Sequence, residues 1–379
     1  MYIRGSAHFG RYAPSEDALL TGLPKKVRLQ PWRGGAAASL LNDHGVYIVF
    51  KRLTVSSTRS IGTGIVRPVN RAVEERLTLA LAPVHGATEV EQAQGYTRRL
   101  AHSHYENFSV VSHLLPRQFR QDFCNVYAFC RIADDMADEV GDAVRATELL
   151  RSLRHQTEEC FRGCVTTRLF AALSKTIQRY DIPVDPFLDL IDAFEQDQRV
   201  DRYQTFEELL DYCRRSADPV GRLVLYMCGY RDQERQRLSD RTCTALQLTN
   251  FWQDVRGDML DRNRIYIPRE SMDRFGVTED QIRAGRFDAR FEQLMRREVD
   301  RTQHMFDEGQ QLLPKLHWQV RKHVALFGKG GEAILAAIRR NRYDTLTSRP
   351  ALSRWQKTKL MMTALGAGLA GSLCKKAAA

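Results

Sequence analysis

A chain of 379 residues, 43% of them hydrophobic, is long enough to bury a sizeable core and too apolar to be disordered throughout. Its length leaves two average domains, or one large domain with an extension, equally open. The formal net charge of +11 favours an anionic partner, whether nucleic acid, a membrane surface or a phosphorylated small molecule. No basic helical stripe or nucleic-acid-binding motif accompanies that charge, so no nucleic-acid partner is expected.

Residues 1–95 are rich in Arg, Gly, Ser and Thr, poor in acids, and carry no sustained 3.6-residue periodicity. They read as an atypical N-terminal extension, either disordered or the result of a misplaced start. Ser56 to Arg71 has the composition of a targeting peptide but lies too far inside the chain for a simple presequence. No methionine stands between Met1 and Met136, so a later start would need another codon.

From about Glu89 the texture becomes helical, punctuated by turns at Leu115-Pro116, at 182–186 and at Ile267-Pro268. The spacing predicts helices near 118–140, 144–162, 167–180, 185–199, 206–229, 240–260, 280–310 and 330–345, with a last one after Leu352. Alternating strands are nearly absent, so the fold class is all-α, a helical bundle with no sheet. The eight cysteines contain no CxxC pair and read as reduced cytoplasmic thiols. His102, His104 and His113 form a loose cluster without metal-type spacing and read as surface or capping residues. The tail from 351 to 379 holds an apolar run, Leu360 to Leu373, broken by three glycines and flanked by Lys357, Lys359, Lys375 and Lys376. At fewer than ~20 residues it is too short to span a bilayer. It either lies in a membrane interface or packs as a last helix.

Two helices carry acids inside apolar stretches. Around the first, Tyr127, Arg131, Asp134 and Asp138 fall on one stripe at about 100° per residue. Around the second, Gln247, Asn250, Asp254 and Asp258 do the same, flanked by Phe251 and Trp252. An ionised carboxylate in apolar surroundings needs a cation, a metal or water. Carboxylates one turn apart suit Mg²⁺, which takes one or two of them and fills its remaining positions with water and phosphate oxygens. Two such helices would clamp a diphosphate from both sides. The charged turn 261–268 adds Arg264 and Tyr266 as donors to phosphate oxygens, or is simply a helix end.

Four ordered strings then resemble the squalene/phytoene synthase family over about residues 96–350. They are 127–138 (YAFCRIADDMAD), Tyr212-Cys213 with 216–221 (SADPVG), 247–258 (QLTNFWQDVRGD) and 264–268 (RIYIP). The resemblance implies a single catalytic domain of the class I isoprenoid synthase type with a central cavity. It implies Mg²⁺, more than one ion, at Asp134, Asp138, Asp254 and Asp258 as catalytic acids. Gln247 and Asn250 would assist at the diphosphate, and Tyr127, Arg131, Arg264 and Tyr266 would contact it; Asp135 and Gln253 rank below these.

Within the family, 104–108 (HYENF), 216–222 (SADPVGR) and 250–254 (NFWQD) resemble the hydroxysqualene synthase branch of bacterial squalene and hopanoid biosynthesis. That implies ionisation of presqualene diphosphate, rearrangement of the cation and quenching by water, with Phe108, Phe129, Phe251 and Trp252 available to shelter the cation. No NADPH is expected, since no strand–glycine–helix fingerprint appears. The alternatives are a condensing synthase joining two farnesyl or geranylgeranyl diphosphates, or a non-catalytic helical assembly protein. The expected partners are the prenyl diphosphate, a peripheral membrane surface and neighbouring enzymes of squalene synthesis. The expected location is the cytoplasm, at most peripheral on the inner face of the membrane.

Overall fold

Side-chain caps and left-handed turns cut this chain into helices. Asp142, Thr205, Asp232, Thr278 and Asp288 each accept a backbone N–H of the first turn that follows, satisfying a donor the helix itself cannot. The structure, a computed structural model, describes residues 71–84, 88–103, 117–353 and 355–356. The chain divides into Met1–Asp43 and His44–Ala379, and all described residues belong to the second unit.

The elements in order are α1 (Arg71–Ala80), α2 (Thr88–Ser103), α3 (Arg117–Asp138), α4 (Ala143–Phe161), α5 (Arg168–Tyr180), α6 (Asp185–Gln196), α7 (Phe206–Ser216) and α8 (Asp218–Met227). They continue with α9 (Gln233–Gln253), α10 (Val255–Arg262), α11 (Arg269–Phe275), α12 (Glu279–Ala284), α13 (Ala289–Gly309), a 3₁₀ turn (Gln310–Lys315) and α14 (Trp318–Arg340). Among the described residues the β-type pairing amounts to two isolated bridges, Pro83 with Thr167 and Arg202 with Ile265. The all-α expectation holds.

Two apolar cores organise the bundle. The first joins α1 to α6 and α8 through residues such as Val73, Leu100, Phe129, Leu150, Phe187 and Leu223. The second joins α7 and α9 to α14 through Leu209, Trp252, Ile282, Val299, Phe306 and Leu335. Each fully buried Leu or Phe contributes roughly 1.5–3 kcal/mol. Phe327 packs against both cores and so marks the seam between them. The long helix α9 is gripped closely there. A Cβ on Gly221 would overlap Ser239 and Cys243, and one on Gly331 would overlap Phe306 and Leu246, so glycine at both positions lets α8 and α14 close on α9.

The structure departs from the sequence expectations at element boundaries. The expected helix 206–229 is two, because Pro219 in the first turn of α8 cannot continue the backbone ladder of α7. The helix expected over 240–260 begins at Gln233 and breaks at Asp254, whose φ of −114° and ψ of 20° are not helical. The span 280–310 is divided by Gly285, left-handed at φ 66°, and by the Asp288 cap. The last described long helix starts at Trp318 rather than 330 and ends at Arg340.

Two helices stand before or across residue 95. Val73, Leu77 and Ala80 of α1 and Tyr96 and Leu100 of α2 lie in the first core, so the stretch from 71 onward is built into the bundle. The physical reason is an ion pair as well as packing. Arg76 donates from Nε and Nη2 to both carboxylate oxygens of Asp135, at 2.8 and 3.0 Å, and Asp135 is wholly buried. His104, His113, Phe108 and the tail from Leu360 to Leu373 lie outside the described residues, as do residues 1–70.

Arg76→Ala removes one partner from a buried ionised acid and is expected to lower unfolding stability by about 3 kcal/mol. Denaturant titration checks this; a change within about 0.5 kcal/mol, as for an ordinary surface substitution, would mean that the pair does not hold α1 to α3.

Candidate active site

On α3 the adjacent acids Asp134 and Asp135 take different roles because they point about 100° apart. Asp135 faces inward, where Arg131 Nη2 meets it at 2.5 Å opposite Arg76. Asp134 is on the stripe, 3.7 Å from Arg131 Nη1 and slightly exposed. Arg131 is itself buried, and its Nε and Nη1 make no hydrogen bond among the described residues. A guanidinium fixed through one nitrogen with others undirected is set to receive an anionic oxygen. Tyr127 lies one turn earlier and is buried; burial pushes its hydroxyl pKa well up, so it stays a donor.

Asp138 ends the stripe. Arg262 Nη1 reaches its Oδ2 at 2.7 Å and Arg264 Nη1 its Oδ1 at 3.5 Å, tying α3 to the end of α10 and the turn after it. Arg264 also donates to the Asp197 carbonyl at 2.6 Å. Asn263 takes the left-handed conformation, φ 53°, that lets the chain reverse between these two arginines. Tyr266 lies in an aromatic stack, 3.7 Å from the Phe251 ring centroid and nearly parallel to it, with Tyr203 and Tyr212 alongside.

The second stripe runs along α9 and into α10. Gln247 is buried, and Asn250 Nδ2 is buried and makes no hydrogen bond among the described residues. Asp254 sits at the break between the helices, where its carboxylate receives Nε and Nη2 of Arg349, the latter at 2.7 Å. Asp258 follows one turn later, partly exposed. Among the described residues no three His, Cys, Asp or Glu side chains converge on a common point. Each acid of the two stripes that carries a described partner is met by arginine instead.

Between α3 and α9 lies a small cavity lined almost wholly by apolar groups. Phe123, Val126, Tyr127 and Cys130 come from α3, and Ser239, Thr242, Cys243 and Leu246 from α9. The remaining wall comes from α8, Leu312, Val324 and Phe327, which places the cavity at the seam of the two cores. On α9 the cavity positions precede the polar stripe, and on α3 they overlap its start at Tyr127. The apolar space therefore leads toward Arg131 and Asp134 on one side and Asn250 and Asp254 on the other. Burial pushes the Cys130 thiol up to about 12, so the lining carries no thiolate there.

Three of the four aromatics expected to shelter a cation lie away from this cavity, and Phe108 is outside the described residues. Phe129 packs edge-on against Phe187 and Phe170 in the first core, Trp252 donates to Thr302 Oγ1 at 2.8 Å in the second, and Phe251 is covered by Tyr266. Phe129 is two residues from Tyr127, about 200° around the helix, so it must face away when Tyr127 faces the cavity. The rings that line the cavity are those of Phe123, Tyr127 and Phe327. Arg76 and Arg349 were not legible as site residues, since their partners are 59 and 95 positions away and no local pattern marks them.

The donor set fits Mg²⁺ and a diphosphate: hard carboxylate oxygens beside buried N–H groups that make no hydrogen bond among the described residues. Burial raises the Asp134 carboxyl to about 7, neighbouring Asp138 adds to the rise, and Arg131 opposes it. Above pH 7 the group is ionised in both folded and unfolded states, and the folded state carries the full penalty. As pH falls through 7 a proton relieves it. Asp134→Asn without added metal is therefore expected to melt ~2–4 °C above the parent at pH 8, with the gap closing toward pH 5. Thermal melts at both pH values check it, and a gap independent of pH contradicts it.

The family model for squalene/phytoene synthase matches residues 101–356. The phytoene synthase of Arthrospira platensis is 30% identical over 277 residues, 69% of this chain and 88% of that protein. That of Mycobacterium tuberculosis is 31% identical over 286 residues, covering 74% and 93%. The crystal structure of squalene synthase HpnC from Alicyclobacillus acidocaldarius is 47% identical with a TM-score of 0.64, covering 68% of this chain and 97% of that one. A dehydrosqualene synthase solved with a ligand shares the fold, with a TM-score of 0.67 at 23% identity, over 74% and 97%. The chain belongs to the squalene/phytoene synthase family of head-to-head prenyl synthases.

Proposed function

We propose that this protein ionises presqualene diphosphate and directs the resulting cation to hydroxysqualene in squalene and hopanoid synthesis. The observation that carries the reading is the apolar cavity between α3 and α9 that leads toward buried, undirected donors and paired acids. An apolar chain and an anionic head need those two surroundings side by side. The 47% identity to squalene synthase HpnC, against about 30% to the phytoene synthases, favours this branch.

In this reading Asp134, Asp138, Asp254 and Asp258 would hold Mg²⁺, which would supply positive charge to offset that of the diphosphate. Arg131, already anchored by Asp135, turns its Nε and Nη1 toward diphosphate oxygens, and Tyr127 donates its hydroxyl. Gln247, Asn250, Arg264 and Tyr266 complete the polar end. The C–O bond breaks with its electron pair leaving on the diphosphate, and preorganised donors stabilise that charge as it develops. The cavity wall keeps bulk water from the cation during rearrangement. The lining hydroxyls of Ser239 and Thr242 offer a place for the one water that adds to the cation and then loses a proton. The lipophilic substrate makes peripheral contact with the inner face of the cytoplasmic membrane part of the proposal. No helix among the described residues is long and apolar enough to cross a membrane.

The condensing reading, in which two prenyl diphosphates are joined, is favoured by the similarity to phytoene synthases. Purified protein with Mg²⁺ in H₂¹⁸O, given presqualene diphosphate, is expected to yield hydroxysqualene carrying ¹⁸O by mass spectrometry. Consumption of farnesyl diphosphate alone, with presqualene diphosphate untouched, would overturn the branch assignment in favour of condensation.

A further inference from the structure

Beyond the end of α14 the chain doubles back over the second acidic stripe as a strap. Arg342 and Tyr343 both take left-handed conformations, φ 51° and 61°, which side-chain-bearing residues adopt only when their surroundings hold them there. The turn is held by Asn341, which donates to the Asp344 carbonyl and to Ser348 Oγ, and by Asp344, which accepts from the N–H groups of Leu346 and Thr347. Leu346 and Leu352 are buried in the second core and pin the strap at two points. Between them Arg349 forks onto Asp254 and also donates to Gln253 Oε1 at 3.2 Å, while Gln253 Nε2 donates to the Pro350 carbonyl. Gln253 is almost fully buried, so its side chain serves this strap.

Arg349 thus takes both oxygens of the carboxylate that a divalent cation would need. The fork occupies one lone pair on each oxygen and sets a positive charge where a cation would approach, so arginine and metal ion compete for this carboxylate. The pair is partly open, with side-chain exposures of 32% for Arg349 and 20% for Asp254, so solvent weakens it and a doubly charged ion can displace it. We infer that Arg349 is the internal counter-ion of Asp254, and that Mg²⁺ entry displaces it and releases the segment between Leu346 and Leu352, making the strap a metal-operated gate. The inference rests on the reading of Asp254 as a metal-binding acid.

The test uses the full chain with MgCl₂ and inorganic diphosphate, read by calorimetry for Mg²⁺ affinity and by hydrogen exchange for residues 344–353. In the parent protein Mg²⁺ with diphosphate is expected to speed exchange in this segment. Arg349→Gln is expected to exchange fast there from the start and to bind Mg²⁺ roughly fivefold more tightly, about 1 kcal/mol of competition removed. Arg349→Lys, which keeps the charge but not the fork, falls between and carries the test if the Gln variant does not fold. Mg²⁺ binding with unchanged exchange overturns the gate. So does weaker Mg²⁺ binding in Arg349→Gln, the result for an arginine that serves only the diphosphate. Unaltered Mg²⁺ binding in Asp254→Asn would instead remove the metal reading of that acid, and the gate with it.

Discussion

Carboxylates set inside an apolar bundle have to be neutralised, and the placement of arginines that do so governs much of this structure. Asp135 is met by Arg76 and Arg131, Asp138 by Arg262 and Arg264, and Asp254 by Arg349. These pairs draw in helices remote in sequence. Arg76 brings α1 onto α3, Arg262 and Arg264 tie the end of α3 to the turn after α10, and Arg349 lays the C-terminal strap across the break at Asp254. Removing one member of a buried pair leaves an uncompensated charge, which is why such contacts constrain geometry more than they add net stability.

The same ion pairs sort structural acids from those available to a ligand. Asp135 has both oxygens taken by arginines and no exposure. Asp134, one residue on the other side, is loosely met at 3.7 Å and keeps a raised pKa, the condition of an acid that gains by acquiring a cation. Arg131 serves both, anchored on Asp135 through Nη2 and only loosely paired with Asp134 through Nη1.

Much of this was legible in the sequence. The 3.6-residue spacing gave α3 to α6 to within a residue or two over most of their lengths, and it placed Tyr127, Arg131, Asp134 and Asp138 on one stripe and Gln247, Asn250, Asp254 and Asp258 on another. Periodicity is a local property, and helix faces follow from it directly. It could not show which face of α9 is turned to the cavity, which Phe123, Tyr127 and Phe327 line rather than Phe251 and Trp252. Nor could it supply Arg76 or Arg349, whose importance arises only when distant segments pack. The break at Asp254 also escaped, because no proline marks it and the apolar periodicity runs on through Val255, while the non-helical backbone there belongs to the packed structure.

A cavity at the seam of two cores, with polar stripes following it along α3 and α9, sets apolar surroundings next to polar ones. The central claim is that the acids on both stripes act together on a diphosphate. The most direct measurement is the Mg²⁺-dependent rate of diphosphate release from presqualene diphosphate by the parent, Asp134→Asn and Asp254→Asn proteins, each shown to be folded by circular dichroism. The account expects each substitution to slow release by roughly 10²–10³-fold, and a folded variant of either kind that releases diphosphate at the parent rate would contradict it.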